Sequence, residues 1–200
     1  MKRKIWIIVL AVVLLLAVII TVLCCSNWVK LRWEICGYQS AIEELPEDLT
    51  LTIYYMPHTI LTRAPLTVDR LINNDSTVKI VVTANELAKH VDALKRLDAS
   101  DLQPASGEYW LNARFHYVFA RGDQKILEVT RECYGKSDEM TADYALINGI
   151  LVEEEAVLYE IVIPFMSEED IENSGLIYLD LLSAADQDIG PNGEIPFAAD

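Results

Sequence analysis

The chain has 200 residues, enough for one domain with a sizeable core, and a formal net charge of −15 at pH 7. This excess of carboxylates repels phosphate backbones, so we expect no nucleic-acid partner. Four cysteines are too few for a disulfide framework and match no zinc-site spacing. We therefore expect neither a cysteine-rich scaffold nor a bound metal or other cofactor.

The first element is an apolar run at residues 5–23, which contains no charge, proline or glycine. As a helix it spans roughly 28 Å, close to the thickness of the hydrocarbon core of a bilayer. Three basic residues at 2–4 precede it, and the positive-inside rule places them in the cytoplasm. We predict a cytoplasmic tip at 1–4 and a transmembrane signal-anchor helix at 5–25. The protein is then a single-pass cell-membrane protein with its C-terminal part outside and the lipid bilayer as a partner.

Two alternative interpretations of this run remain. A cleaved signal peptide has a shorter apolar core and small residues before the cut, whereas no A-x-A pattern follows this one. A lipoprotein cysteine normally follows a small residue, and Cys24 follows Leu23. Cys24 and Cys25 otherwise suit a helix end, where acylation is an open question.

Residues 26–46 are mixed and amphipathic, and we interpret them as a juxtamembrane stalk. Trp28 and Trp33 suit the outer membrane interface, where indole keeps one polar edge in water. Pro46 breaks the segment. The folded extracytoplasmic domain is therefore predicted at 47–182, with an acidic tail at 183–200.

Within this domain, alternation and β-branched residues predict a series of strands. They lie at 49–56, 59–63, 78–82, 109–120, 125–131, 144–147, 150–152, 157–163 and 177–182. Asn148-Gly149 is the favoured pair for a type I′ hairpin turn. The turn at 121–124 joins a second hairpin.

Helix signals are fewer. Thr83 and Glu86 have capping-box spacing before a helix at 84–98, whose apolar stripe recurs at three- and four-residue steps. The stripe consists of Leu87, Val91, Leu94 and Leu97. Short helices are predicted at 67–73 and 167–173, the second with Gly175 at its C-terminal cap. The predicted class is α+β: an N-terminal transmembrane helix, then a mainly antiparallel sheet packed against the principal helix at about 84–98.

Catalytic signatures are absent from the sequence, which contains no H-E-x-x-H, no G-x-S-x-G and no glycine-rich phosphate loop. Asn112, Arg114 and His116 alternate along one face of a predicted strand and are the surface candidates for binding an anion. Such a row is more often the solvated face of a sheet. The catalytic residues therefore stay unknown.

Three further motifs carry little chemistry. The acidic residues at 186–194 miss the calcium-loop register at Gly190 and Phe197. The tripeptide at 121–123 has the composition of a tight turn. An external compartment permits a Cys36–Cys133 disulfide, which the sequence alone does not decide.

The leading hypothesis is a membrane-anchored extracytoplasmic domain that binds a protein or a cell-surface component. One alternative is a surface-anchored hydrolase that uses spatially assembled carboxylates, or His116 with Arg114. Another is an accessory subunit of a membrane complex that acts through its transmembrane helix.

Overall fold

The computed structural model describes residues 2–24, 26–135, 143–153 and 155–176. The predicted strand at 177–182, the tail at 183–200 and the calcium-like motif lie outside the described residues. The predicted fold class is confirmed at the coarse level, because the described residues form an α+β fold with an antiparallel sheet.

The described residues form a six-stranded sheet in the order β2-β1-β3-β4-β5-β6, in which every neighbouring pair is antiparallel. The strands are β1 (Leu49–Tyr55), β2 (Val78–Thr83), β3 (Tyr109–Arg121), β4 (Gln124–Gly135), β5 (Asp143–Ile147) and β6 (Ile150–Glu153). In β1, alternate residues are buried, as expected for a sheet with one closed face.

Helical segments surround the sheet. The α-helices are α1 (Lys2–Cys24), α2 (Ser26–Glu44), α3 (Val68–Ile72), α4 (Ala84–Leu87), α5 (Val91–Leu94), α6 (Val157–Glu160) and α7 (Glu168–Ser174). Short 3₁₀ turns lie at Ala88–His90, Ala99–Asp101 and Ile163–Phe165.

Helix α2 is a core element, which differs from the stalk expected at 26–46. One face of α2 is buried in the main core, at Leu31, Ile35, Tyr38 and Ile42. The ring of Tyr38 meets Phe119 of β3 edge-on at 5.0 Å between centroids. Its hydroxyl donates a hydrogen bond to the carbonyl of Leu94 at 2.9 Å. The spacing of these four residues is that of one helical face, which the mixed polar and aromatic composition had hidden.

The predicted principal helix at 84–98 is broken into α4, a 3₁₀ turn and α5. His90, with φ −127°, leaves the helical region between them. Leu87, Leu94 and Leu97 are nevertheless buried, so the prediction that this apolar stripe faces the core is confirmed for these three residues. The principal helix on the sheet is therefore α2, and the 84–98 segment packs beside it.

Residues 157–163, predicted as a strand, form α6 and the start of a 3₁₀ turn. The segment is buried on several sides, at Leu158, Tyr159, Ile161 and Val162. A short apolar run that is buried on all sides shows no hydrophobic periodicity, so its pattern does not distinguish a strand from a helix. The short strand predicted at 59–63 is also wrong, because this segment is irregular.

Several local predictions are confirmed. Asn148 and Gly149 have φ values of 46° and 78°, as a type I′ turn requires. The N-cap of α7 is Ser167, whose hydroxyl accepts the N–H of Asp170 at 3.1 Å, and Gly175 ends the helix at φ 79°. Thr67 caps α3. Each of these features depends on neighbours in sequence.

The described apolar side chains of α1 are exposed, unlike those of α2. Within the described residues no single helix is long and apolar enough to span a bilayer. The segments 12–22 and 27–44, bent by 50° relative to each other, pass that test as a pair. By length and composition, the N-terminus is therefore a candidate for a membrane-crossing or signal segment.

Candidate functional site

Two of the three predicted surface candidates, Asn112 and Arg114, form hydrogen bonds with other segments of the chain. The amide oxygen of Asn112 accepts the N–H of Leu66 at 3.2 Å, and its NH₂ group donates to Glu132 at 3.1 Å. The guanidinium of Arg114 donates to two carbonyls within residues 57–60, at 3.3 and 2.7 Å. Both side chains therefore pin the irregular segment after β1 onto β3.

The third candidate, His116, is 1% exposed, which corrects its expected place on the surface. Its Nδ1 shares a hydrogen bond of 2.9 Å with the hydroxyl of Thr130, and Nε2 lies 3.7 Å from a carboxylate oxygen of Glu128. Burial lowers the pKa of His116 to about 4, and the nearby Lys125 ammonium acts in the same direction. The imidazole is therefore neutral at pH 7.

Four cavities at which described residues of different elements meet are lined by other residues than these three. Within the described part of the chain, no group of three or more histidine, cysteine, aspartate or glutamate side chains is placed to hold a metal ion. Cys36 is exposed with a free thiol, and the side chain of Cys133 lies outside those described. We therefore looked for a binding surface at the sheet edges.

The outer edge of β6 is covered by the chain itself. The N–H of Glu153 donates to the carbonyl of Gln103 at 2.9 Å, and the N–H of Ala105 donates to the carbonyl of Leu151 at 2.9 Å. Residues 103–105 thus close this edge in the manner of a short additional strand. An edge covered in this way offers its backbone groups to no other chain.

The outer edge of β2 is open, as far as the described residues extend. Strand β2 pairs with β1 on its inner side, and no described backbone segment pairs with its outer side. The N–H of Met56 bonds to the carbonyl of Arg114 at 2.9 Å, which sets the alternation of hydrogen bonds in β1. By that alternation the backbone groups of Lys79 and Val81 point outward.

Thr83, the next outward residue of β2, has a partner. Its N–H donates to the carboxylate of Glu86 at 2.9 Å, as expected from the capping-box spacing. This hydrogen bond, together with one from the Thr83 hydroxyl, lowers the pKa of Glu86. The open part of the edge is therefore centred on Lys79 and Val81.

A cavity of about 360 Å³ runs beside this edge; we call it the β2 groove. Residues 80–82 form one side, Lys89 and His90 a second, and residues 164–167 a third. The rings of His90 and Phe165 meet edge-on at 5.2 Å between centroids, which joins two of these sides. Val81 is 54% exposed beside the groove, an apolar side chain on the solvated face of the sheet.

The charge at the groove differs from that of the whole chain. The ammonium of Lys79 lies over the neighbouring strand β1, 5.6 Å from the centroid of the Tyr54 ring, and Lys89 lines the groove. The single carboxylate among the lining residues, that of Glu86, is already bound to Thr83. Because these hydrogen bonds lower its pKa, Glu86 stays ionised, and Lys89 and Glu86 together leave the groove lining close to neutral.

The position of this groove could not be predicted from the sequence. Residues 78–82 were recognised as a strand, but its position at the sheet edge depends on the pairing of distant segments. One local signal was present, because Val81 is apolar at a position that alternates with the buried Val82. The opposite wall, residues 164–167, directly follows the segment 157–163, whose secondary structure was predicted wrongly.

The described residues define a class: an α+β domain in which they cover one sheet edge and leave the other open, preceded by an apolar helix. Comparison with known proteins found no matching protein-family model, no similar curated protein and no similar solved structure. The function is therefore argued from the geometry alone.

Proposed function

We propose that the protein is a single-pass membrane protein whose extracytoplasmic domain binds an extended segment of a partner protein along β2. The observation that carries this proposal is the contrast, among the described residues, between a β6 edge closed by residues 103–105 and a β2 edge left open beside a groove. An open edge invites strand addition, in which a peptide extends the sheet through main-chain hydrogen bonds.

The membrane part of the proposal rests on α1. Its exposed apolar side chains find no partner surface on the described domain, and lipid is the solvent that suits them. The basic residues at 2–4 favour a cytoplasmic N-terminus. Because α2 follows α1 directly and is packed into the core, the domain is held close to the membrane.

The binding mode follows from the groups on the β2 edge. The outward N–H and C=O groups of Lys79 and Val81 bond to the incoming strand, each bond contributing roughly 0.5–1.5 kcal/mol net. Apolar side chains of that strand enter the β2 groove against Phe165, which supplies specificity. The expected partner segment is extended, with apolar residues at alternate positions.

The test is site-specific photo-crosslinking of the full chain in its native membranes. A benzophenone amino acid replaces Lys89 in the β2 groove, and a second variant carries it at Leu61, which is 92% exposed on another surface. Val81→Pro then removes the outward N–H, and Val81→Thr keeps that N–H and a β-branched side chain.

Strand addition predicts an adduct from position 89 with one protein species. The adduct is lost with Val81→Pro, kept with Val81→Thr and absent from position 61. No adduct from position 89, or one that survives Val81→Pro, overturns the proposed binding mode. A chain that carbonate extracts from the membranes overturns the anchoring instead.

A further inference from the structure

Large aromatic side chains are exposed where the apolar helix enters the domain. Trp28 and Trp33, on the first turns of α2, are 40% and 75% exposed, and Tyr109 and Trp110, at the start of β3, are 38% and 53% exposed. We call these four residues the aromatic face. Exposed tryptophan and tyrosine are unusual on a wholly solvated surface, whereas they are enriched at membrane interfaces.

A cavity of about 460 Å³ lies between the first turns of α2 and the segment that leads into β3. Asn27 and Lys30 of α2 line it on one side, and Tyr109 and the 148–151 turn between β5 and β6 line it on the other. The start of β3 and the β6 side of the sheet are therefore next to the first turns of α2. Because α2 begins where α1 ends, they are also next to the end of the apolar helix.

The bend between α1 and α2 keeps the first turns of α2 close to the membrane surface. The axes of segments 12–22 and 27–44 differ by 50°. With α1 along the bilayer normal, Trp33 lies roughly 7 Å above the start of α2, at 1.5 Å rise per residue. The headgroup layer of one leaflet is about 5–8 Å thick. The first turns of α2 thus run through the layer that indole side chains prefer.

Cationic groups accompany the aromatic ones. The guanidinium of Arg32 lies 5.0 Å from the centroid of the Trp28 ring, and Lys30 lies on the other side of α2, where Glu34 lines the same cavity. Lipid phosphates attract both groups, although the domain as a whole is acidic. The local chemistry, aromatic rings with basic side chains, is that of a membrane interface rather than of a solvated surface.

We infer that the aromatic face docks the domain onto the headgroup layer of the bilayer, as a second membrane contact beside α1. This inference rests on the anchoring in the proposed function. It adds an orientation, in which the β6 side of the sheet faces the lipid and β2, at the opposite edge of the sheet, faces away. The open edge is then the one presented to partners.

The test uses tryptophan fluorescence of the full chain in vesicles of phosphatidylcholine, with or without bromine on the acyl chains. The chain has four tryptophans, so single-tryptophan variants are readily made. The first keeps Trp110 and carries Trp6→Phe, Trp28→Phe and Trp33→Phe. The second keeps only Trp6, within the apolar helix. The third carries Val81→Trp on β2, with all four native tryptophans changed to Phe.

Docking predicts that bromine lowers the fluorescence of Trp6 and of Trp110, the latter at least roughly twofold, and leaves the tryptophan at 81 unchanged. If Trp6 is quenched but neither Trp110 nor the tryptophan at 81 is, the docking is overturned and the anchor stands. If Trp6 is not quenched, the anchoring itself fails, and the docking with it. Equal quenching at 110 and 81 overturns the orientation.

The same contact is tested by replacement of Trp110. Trp110→Ser, in a chain with all other tryptophans intact, should expose the 105–109 loop to faster amide hydrogen exchange in vesicles and leave its exchange in detergent unchanged. Trp110→Phe keeps the apolar ring and serves as the matched control. Equal exchange for Ser and Phe variants in vesicles contradicts a lipid contact at this position.

Discussion

The two edge strands of the sheet differ in whether the described chain bonds to their outer backbone N–H and C=O groups. At β6, residues 103–105 bond to the strand and satisfy its outer backbone groups. At β2, the described chain leaves Lys79 and Val81 without such a cover, and a groove runs alongside. Since an uncovered edge is an aggregation hazard, we infer a reason for the difference between one edge that the described residues cover and another that they leave open. We attribute that reason to partner binding.

The largest difference between the edges should appear when a side chain is truncated at each. Leu102 is 1% exposed and holds the covering segment in the core, whereas Val81 is 54% exposed. Leu102→Ala should lower the free energy of unfolding by about 2–4 kcal/mol, and Val81→Ala by less than about 1 kcal/mol. Urea unfolding of the full chain in mild detergent measures both. Equal losses would mean that the two edges are equally packed.

The pH dependence of the free energy of unfolding tests whether the covered edge unfolds together with the core. The pKa of His116 is lowered to about 4 in the folded protein, below an ordinary value of 6.5. The unfolded state therefore binds the proton first, and stability falls as the pH decreases from 6.5 towards 4. Between pH 7 and pH 5 the loss is roughly 2 kcal/mol.

Amide hydrogen exchange at the two edges measures this loss of stability between pH 7 and pH 5. At Glu153 and Ala105, whose N–H groups are bonded, protection should fall with the stability of the whole domain. At Val81, exchange should follow only the intrinsic rate. His116→Gln should abolish the pH dependence between 7 and 5. A variant that keeps this dependence would show that another group is responsible.

The smallest effect is expected from proline substitutions at the outward positions. Glu153→Pro removes the N–H that bonds to Gln103, and should cost roughly 1–2 kcal/mol more than Glu153→Ala. Val81→Pro removes an N–H that bonds to no described group, so its excess over Val81→Ala should be smaller. Urea unfolding again provides the measurement. An excess at Val81 as large as at Glu153 would reveal a hidden partner on the β2 edge.

Much of the local structure was predicted correctly because its causes are local. The Asn148-Gly149 turn needs two positive φ angles, and the cap of α7 needs a serine with an acidic residue three positions later. Alternation along β1 and β3 likewise identified the buried face of each strand. These features are set by backbone sterics and nearest neighbours, which the sequence displays directly.

The errors share a non-local cause. His116 alternates with polar neighbours and resembles a solvated residue, yet Thr130 of the next strand and Glu128 close over it. The segment 157–163 is buried all round, and its period therefore disappears. The candidate groove was missed for the same reason, since it joins β2, the α4 segment and residues 164–167.

By itself, the sequence determined an apolar N-terminal helix, an α+β class and the hairpins and caps, because hydropathy, periodicity and turn chemistry act over a few residues. Only the tertiary structure decided that α2 belongs to the core, that His116 is buried and that the described residues cover one sheet edge and leave the other open. These features depend on which distant segments pack together, and the free energy of that packing is shared among residues far apart in the chain.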